Sequence, residues 1–500
     1  MRGGTTSRRP VAGWIVRWAI RLGGLGALVF LTVLIGRGVQ SRGYPDLELW
    51  HRVVLREEVT AADLGPAVSL DEFRRREQRL FEELEARVER AVPADRQTIA
   101  NRYFTGSRAS PRRFLFDGNR TFERAPPHPV GGVLLIHGLT DGPYSMSALA
   151  RTFESRGYYA LGLRMPGHGT IPSGLVGATW EDWAAAVRLG VRHVRARIGP
   201  SKPLLLAGYS NGGALVVQYT LASLEDGTLP RPDGLLLLSP MLGVTPFARL
   251  SWMMSLLAPI PYFEKSAWLD VLPEYNPFKY NSFPVNAGKQ TYELTTTIAE
   301  QFARLERTGK LVAFPEVLVF QSLVDATVST PAVVDGLFAH VTRPSSELVL
   351  FDINRLAGLT PFLRPSDATV VASLFAGRHR SYRVSLLTNA APDTLAVVEQ
   401  SLAAGETTIA TQATGTAWPP DIFSLSHVAV PFPPDDPLYG RESGEATPHI
   451  RIGRFSARGE RAVLLVPMDV LMRLSYNPFY PYMERRVGEW IDRRSRPSTP

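Results

Sequence analysis

The chain of 500 residues contains no cysteine. Disulfides, thiolate metal sites, a cysteine nucleophile and a bacterial lipoprotein anchor are therefore excluded, while the compartment is left open. Neither a G-x-G-x-x-G nor a Walker A sequence occurs, so the familiar phosphate-cradling loops are missing. No dispersed set of Asp and His has metal-ligand spacing, and no metal or cofactor is expected. Repeats and low-complexity runs are missing too; Pro431 to Pro437 is a short Pro/Asp-rich loop. Lysine is scarce, and the net charge of +8 is carried almost wholly by Arg. Much of that charge sits at the ends: Arg2, Arg8, Arg9, Arg17 and Arg21, then Arg485, Arg486, Arg493, Arg494 and Arg496. It forms no nucleic-acid stripe, so no nucleic-acid partner is expected. Terminal Arg beside an apolar segment points instead to a membrane surface.

What is present is enough apolar residue, 45%, for one large α/β domain with insertions or for two domains. Residues 1–40 read as an N-terminal targeting segment. Leu22 to Gly36 is uncharged, and Arg17 and Arg21 can snorkel, which extends the span back to Trp14. More Arg precede the run than follow it, so the N-terminus is expected in the cytoplasm and the remainder on the periplasmic or extracytoplasmic side. With no A-x-A site after Gly36, an uncleaved single-pass signal anchor is favoured over a cleaved signal peptide. Residues 41–112 form a helical extension, in which Ser69 and Glu72 read as a capping box and Leu70, Phe73, Leu80, Leu84 and Val88 as a packing face.

From residue 113 to 500 strands and helices alternate, which implies a mostly parallel central sheet flanked by helices. Expected strands are Val130 to Ile136, Tyr158 to Leu163, Pro203 to Ala207, Gly234 to Leu238, Val317 to Gln321 and Glu347 to Phe351. Expected helices are Ser145 to Arg156, Trp180 to Ile198, Ala214 to Leu224 and Pro331 to His340. Two stretches break the alternation. One, about 240–313, holds Trp252, Met253, Met254, Leu256, Leu257, Ile260, Phe263 and Trp268, and reads equally as core or as an apolar lid over a site that takes acyl chains. The other, about 354–418, reads as an insertion with a strand-like Tyr382 to Leu387 and a helix-like Thr394 to Ala404.

The chain is organised around Gly208-Tyr209-Ser210-Asn211-Gly212, a G-x-S-x-G with a strand before it and a helix after it. That setting is the one a nucleophile elbow needs: a Ser on a sharp turn, with Gly208 and Gly212 where side chains would clash, and a helix N-terminus aimed at the developing charge. A serine nucleophile needs a base and an acid that orients the base. Asp325, after Val317 to Gln321, is the expected acid, with Asp352 as its rival. His427, in Ser424-Leu425-Ser426-His427-Val428, is the expected base, with His379 and His449 as rivals. The Asn211 and Leu139 amides are the expected oxyanion donors. His137 and Gly138 read as loop-fixing residues, as does His168. His137, Ser210 and Asp325 all follow strand ends, where sites in parallel sheets lie.

At His137-Gly138-Leu139, Pro166-Gly167-His168-Gly169, Gly208 to Gly213 and Asp325 the chain resembles the α/β-hydrolase superfamily, in its monoacylglycerol-lipase-like and serine-aminopeptidase-like branch. The resemblance covers roughly 113–351 and the loop around His427. It implies an α/β-hydrolase fold and a cofactor-independent serine hydrolase, usually an esterase or lipase acting on carboxylic esters, with a small-molecule, acyl-containing ester as the expected substrate. The alternatives are a peptidase or acyltransferase with the same triad, and an inactive membrane-tethered binding module. Dehalogenase and epoxide-hydrolase relatives carry Asp where Ser210 stands.

Overall fold

A computed structural model describes residues 11–243, 258, 260–356, 374–375, 380–420, 422–441, 447–454, 473 and 475–495. Its strands, in chain order, are β1 (Phe122–Arg124), β2 (Gly131–Ile136), β3 (Tyr158–Leu163), β4 (Leu204–Tyr209), β5 (Gly234–Leu238), β6 (Trp268–Asp270), β7 (Phe283–Pro284), β8 (Glu316–Ser322), β9 (Glu347–Phe351), β10 (Arg383–Asn389), β11 (Ala396–Leu402) and β12 (Ala410–Ala417). Ten of them form one sheet in the order β1-β3-β2-β4-β5-β8-β9-β10-β11-β12, and β6 pairs with β7 apart from it. From β3 to β10 every neighbouring pair is parallel; β1, β11 and β12 run antiparallel at the edges.

The central strands are unbroken apolar runs because helices cover both faces. Successive residues still part between two cores. Leu134, Ile136, Leu204, Leu206, Leu235 and Leu237 face the helices Trp180–Ile198, Asn211–Glu225 and Val285–Arg307. Val133, Leu135, Leu205, Ala207, Leu236 and Leu238 face Ser147–Glu154 and the C-terminal helix Tyr480–Ser495. The extension joins the first core. Leu70 and Phe73 of the helix Leu70–Arg87 are buried there, and Ser69 Oγ accepts the Glu72 amide at 3.2 Å, half of the expected box. The charged face of that helix is not all solvated: Glu77 is buried and accepts from Arg164 Nε at 3.0 Å.

Two expectations change. The 354–418 stretch, read as an insertion between the last sheet strands, itself supplies β10, β11 and β12 to the main sheet. Its helix-like Thr394 to Ala404 is strand β11, where Val397 and Ser401 are buried and Ala396 is exposed, an alternation the Ala-rich composition conceals. Two of the C-terminal arginines are paired within the fold: Arg486 with Glu347, and Arg494 with Glu316.

Within 240–313 the helix Val285–Arg307 packs on Asn211–Glu225, and Trp268 is buried against Leu47 and Val271. Both are core. Trp252, Met253, Met254, Leu256 and Leu257 lie outside the described residues. The N-terminal helix runs Val11–Arg42, and its Ile20–Arg42 part is long and apolar enough to cross a membrane. Its end is tied to the body. Tyr44 Oη donates to the Leu269 carbonyl at 2.6 Å, and Lys265 Nζ donates to the Tyr44 carbonyl at 2.9 Å.

Candidate active site

Among the described residues three non-glycine residues have positive φ: Thr140 (66°), Ser210 (54°) and Ser239 (44°). They follow the carboxyl ends of β2, β4 and β5, so the backbone strain is gathered at one edge of the sheet. Such strain persists only where the surroundings over-determine it. At Ser210 they do. Its amide donates to the Leu238 carbonyl at 2.9 Å, and its carbonyl accepts from Gly213 at 2.9 Å and Met241 at 3.0 Å. The two motif glycines make the turn possible. A Cβ on Gly208 would stand 2.3 Å from the Gly212 carbonyl oxygen, and one on Gly212 would stand 2.2 Å from that of Ile136.

Asp325 follows β8 in a short loop. Its Oδ1 accepts the Thr327 and Val328 amides, each at 2.8 Å, and its Oδ2 accepts Gln321 Nε2 at 3.2 Å and His427 Nδ1 at 2.7 Å. Both side chains are buried. Burial alone would raise the Asp325 carboxyl; the His427 ring and the two amides outweigh it and hold the carboxyl below its ordinary value. His427 opens a 3-10 turn whose loop is tied to the sheet through Ser322 Oγ, which donates to the Leu425 carbonyl at 2.7 Å. With Nδ1–H committed to Asp325, Nε2 carries the lone pair. The Tyr209 ring, next to Ser210, lies 5.3 Å from the His427 ring.

The rivals are placed elsewhere. Asp352 is held by Arg355 at 2.6 Å and by Thr388 Oγ1 at 2.7 Å. His449 stacks on Phe114 at 4.3 Å, and its Nδ1 is bonded to the Ile450 carbonyl. His379 lies outside the described residues. His137 is fixed at both nitrogens: Nδ1–H donates to the Gly138 carbonyl at 2.9 Å, and Nε2 accepts the Met165 amide at 3.0 Å. Burial lowers its pKa to about 4, which suits a neutral tie between β2 and the loop after β3. His168 Nδ1 bonds the Pro166 carbonyl in that loop at 2.9 Å. The Leu139 and Asn211 amides, expected as oxyanion donors, have no acceptor among the described residues.

Sequence reasoning missed several supporting residues. Gln321 braces Asp325 and also bonds the Val328 carbonyl at 2.7 Å; its signal is a lone polar residue at the end of an apolar strand. Arg164, before the Pro166 to Gly169 loop, is buried and paired with Glu58 and Glu77 of the extension. Burial disfavours its charge, but the two carboxylates more than compensate. No local signal links positions so far apart in sequence.

The chain is similar to known proteins in sequence and in structure. Residues 127–353 match the family described as Hydrolase_4, serine aminopeptidase, S33. A curated relative, the thermostable monoacylglycerol lipase of Bacillus sp. (strain H-257), is 37% identical over 89 residues, which are 18% of this chain and 34% of the relative. The chain thus spans about a third of that relative's length. A solved structure from work on the metagenome-derived lipolytic enzymes LipS and LipT is 23% identical, with 48% of this chain and 90% of the other covered at a TM-score of 0.38. The monoacylglycerol lipase of Paleococcus ferrophilus is 16% identical, with 46% and 88% covered at a TM-score of 0.35. Residues 127–353 are thus similar to the α/β-hydrolases of the S33 family. Over those 89 residues the chain is a homologue of the Bacillus monoacylglycerol lipase.

Proposed function

We propose that the protein is a serine ester hydrolase. Ser210 Oγ attacks the acyl carbonyl and passes its proton to His427 Nε2, while Asp325 holds the ring in the tautomer that can accept it. The Leu139 and Asn211 amides bind the oxyanion. His427 then protonates the departing alcohol, leaving an acyl-enzyme, and the same base activates the water that releases the acid. Every proton and bond is accounted for by these residues, water and the ester. The observation that carries this reading is the buried Asp325–His427 bond of 2.7 Å beside the strained Ser210 turn.

The substrate class we propose is an acyl ester, argued from the sequence similarity to a monoacylglycerol lipase. The proposed localisation is a single-pass anchor through Ile20–Arg42, with the hydrolase outside the cytoplasm. A peptidase or acyltransferase would use the same residues. Turnover of p-nitrophenyl esters of rising acyl length by the full chain in detergent tests the reading, with Ser210→Ala alongside. Loss of hydrolysis in the variant supports it. A folded protein inactive on every ester moves the weight to peptide substrates or to a binding role.

A further inference from the structure

Two residues after Leu139 stands a carboxylate that the reaction above leaves unused. Asp141 is buried, and its amide closes the turn begun at Gly138 by donating to the Gly138 carbonyl at 3.2 Å. Thr140, inside that turn, is one of the three strained residues, and a β-branched residue adopts such a backbone only under constraint. Asp141 Oδ2 lies 3.1 Å from the point where a Cβ on Gly138 would stand, and Tyr209 Cε1 lies 2.9 Å from the same point. The carboxylate, the oxyanion turn and the ring next to Ser210 are therefore one contact. A lone negative charge here would oppose the second one that develops at the Leu139 amide.

The segment after the apolar stretch answers that charge. Residues 278–280 run antiparallel across the turn: the Gly142 amide donates to the Phe278 carbonyl at 2.9 Å, and the Tyr280 amide to the Thr140 carbonyl at 2.8 Å. Between them Lys279 Nζ donates to Thr140 Oγ1 at 2.9 Å and to Asp141 Oδ1 at 3.3 Å. Its own carbonyl accepts from Arg102 Nη1 at 3.1 Å, which fixes the strand from behind. Burial raises the Asp141 carboxyl, and Lys279 and then His427 oppose the rise. Tyr209 and Tyr439 complete its surroundings, and their hydroxyls are pushed up by burial and then by Asp141 itself.

We propose that Lys279 is a positioning residue of the oxyanion pocket: its ammonium neutralises Asp141 and fixes the Thr140 hydroxyl, so that the Leu139 amide meets the oxyanion with no uncompensated carboxylate beside it. The proposal rests on the Ser210 and Leu139 reading above. It makes the role of Lys279 one of charge, acting on kcat, rather than one of packing. Removing one member of a buried pair leaves a charge unmatched, whereas removing both leaves none.

The test uses the full chain with Lys279→Met, Lys279→Arg and the double variant Lys279→Met/Asp141→Asn, assayed on p-nitrophenyl butyrate with active sites counted by fluorophosphonate titration. Lys279→Met is expected to lower kcat about ten- to a hundredfold with KM little changed, somewhat less than deletion of an oxyanion donor. Lys279→Arg should keep most of the rate, and the double variant should recover at least about tenfold over Lys279→Met. A double variant as slow as the single one, or a loss confined to KM, overturns the proposal. If Lys279→Met fails to give a cooperative melt, the double variant decides alone: a rate near wild type supports the charge role, and a rate as low as that of an oxyanion-donor deletion refutes it. Ser210→Ala run in parallel separates the two readings, because activity surviving there refutes the serine mechanism whatever the Lys279 series shows.

Discussion

The two ends of the central sheet are built on different terms. At the carboxyl ends of β2, β4 and β5 the chain accepts strained residues, glycines packed against carbonyls, and Leu139 and Asn211 amides with no acceptor among the described residues. At β10 to β12 several polar side chains bond one another across the strands. Ser385 Oγ reaches Glu399 at 2.9 Å and Glu347 at 2.8 Å, Arg383 Nη2 donates to Glu399 at 3.2 Å and Ser401 at 2.8 Å, and Gln412 caps Glu399 at 2.7 Å. Among the described residues the strained non-glycine residues lie at the proposed site, and none lies in β10 to β12.

Substitutions can break this contrast. The largest effect is expected at Ser210: Ser210→Ala should lower ester turnover by about a thousandfold or more while leaving the melting temperature near wild type. His427→Ala should come close to it, whereas His449→Ala should keep the wild-type rate within about twofold; equal losses in the two would remove His427 from the site. Arg164→Met strands Glu58 and Glu77 behind the Pro166 to Gly169 loop and should cost about 3–5 kcal/mol in denaturant unfolding. At the far edge Glu399→Gln should cost only about 1–2 kcal/mol and leave kcat/KM unchanged; a loss of activity there would erase the contrast. The most gradual effect concerns acid. His137 has its pKa depressed by burial to about 4, from an ordinary value of 6.5. The unfolded chain therefore binds a proton that the folded one refuses between those values. Stability should fall as pH drops through that window, by about 1.4 kcal/mol per pH unit for this residue alone. Unfolding curves of His137→Asn should show the shallower slope.

Where the sequence is legible, the reason is local. Tyr158–Leu163, Trp180–Ile198, Gly234–Leu238 and Glu347–Phe351 lie at the expected bounds because each is a long apolar or amphipathic run closed by Gly, Pro or a capping residue. Asp325 and His427 are found from their loops, although 102 residues separate them. What eludes the sequence depends on distant partners. Glu77 looks like one more charge on a solvated helix until Arg164 meets it. Val397 to Ser401 reads as helix until β10 and β12 pair with it. Lys279 looks like a surface lysine until its strand crosses the Thr140 turn. Pro331 to His340 is helical as expected, but it passes from Thr330–Val333 into a π-turn at Val334–Phe338, a distortion that no composition announces.

The central claim is that Ser210, activated by the Asp325–His427 pair, is the nucleophile. Its most direct test is to label the folded full chain with a fluorophosphonate and map the modified peptide by mass spectrometry. The account predicts a single adduct on Ser210, formed far more slowly in His427→Ala. An adduct on another residue, or ester hydrolysis that continues with Ser210 unmodified, would contradict it.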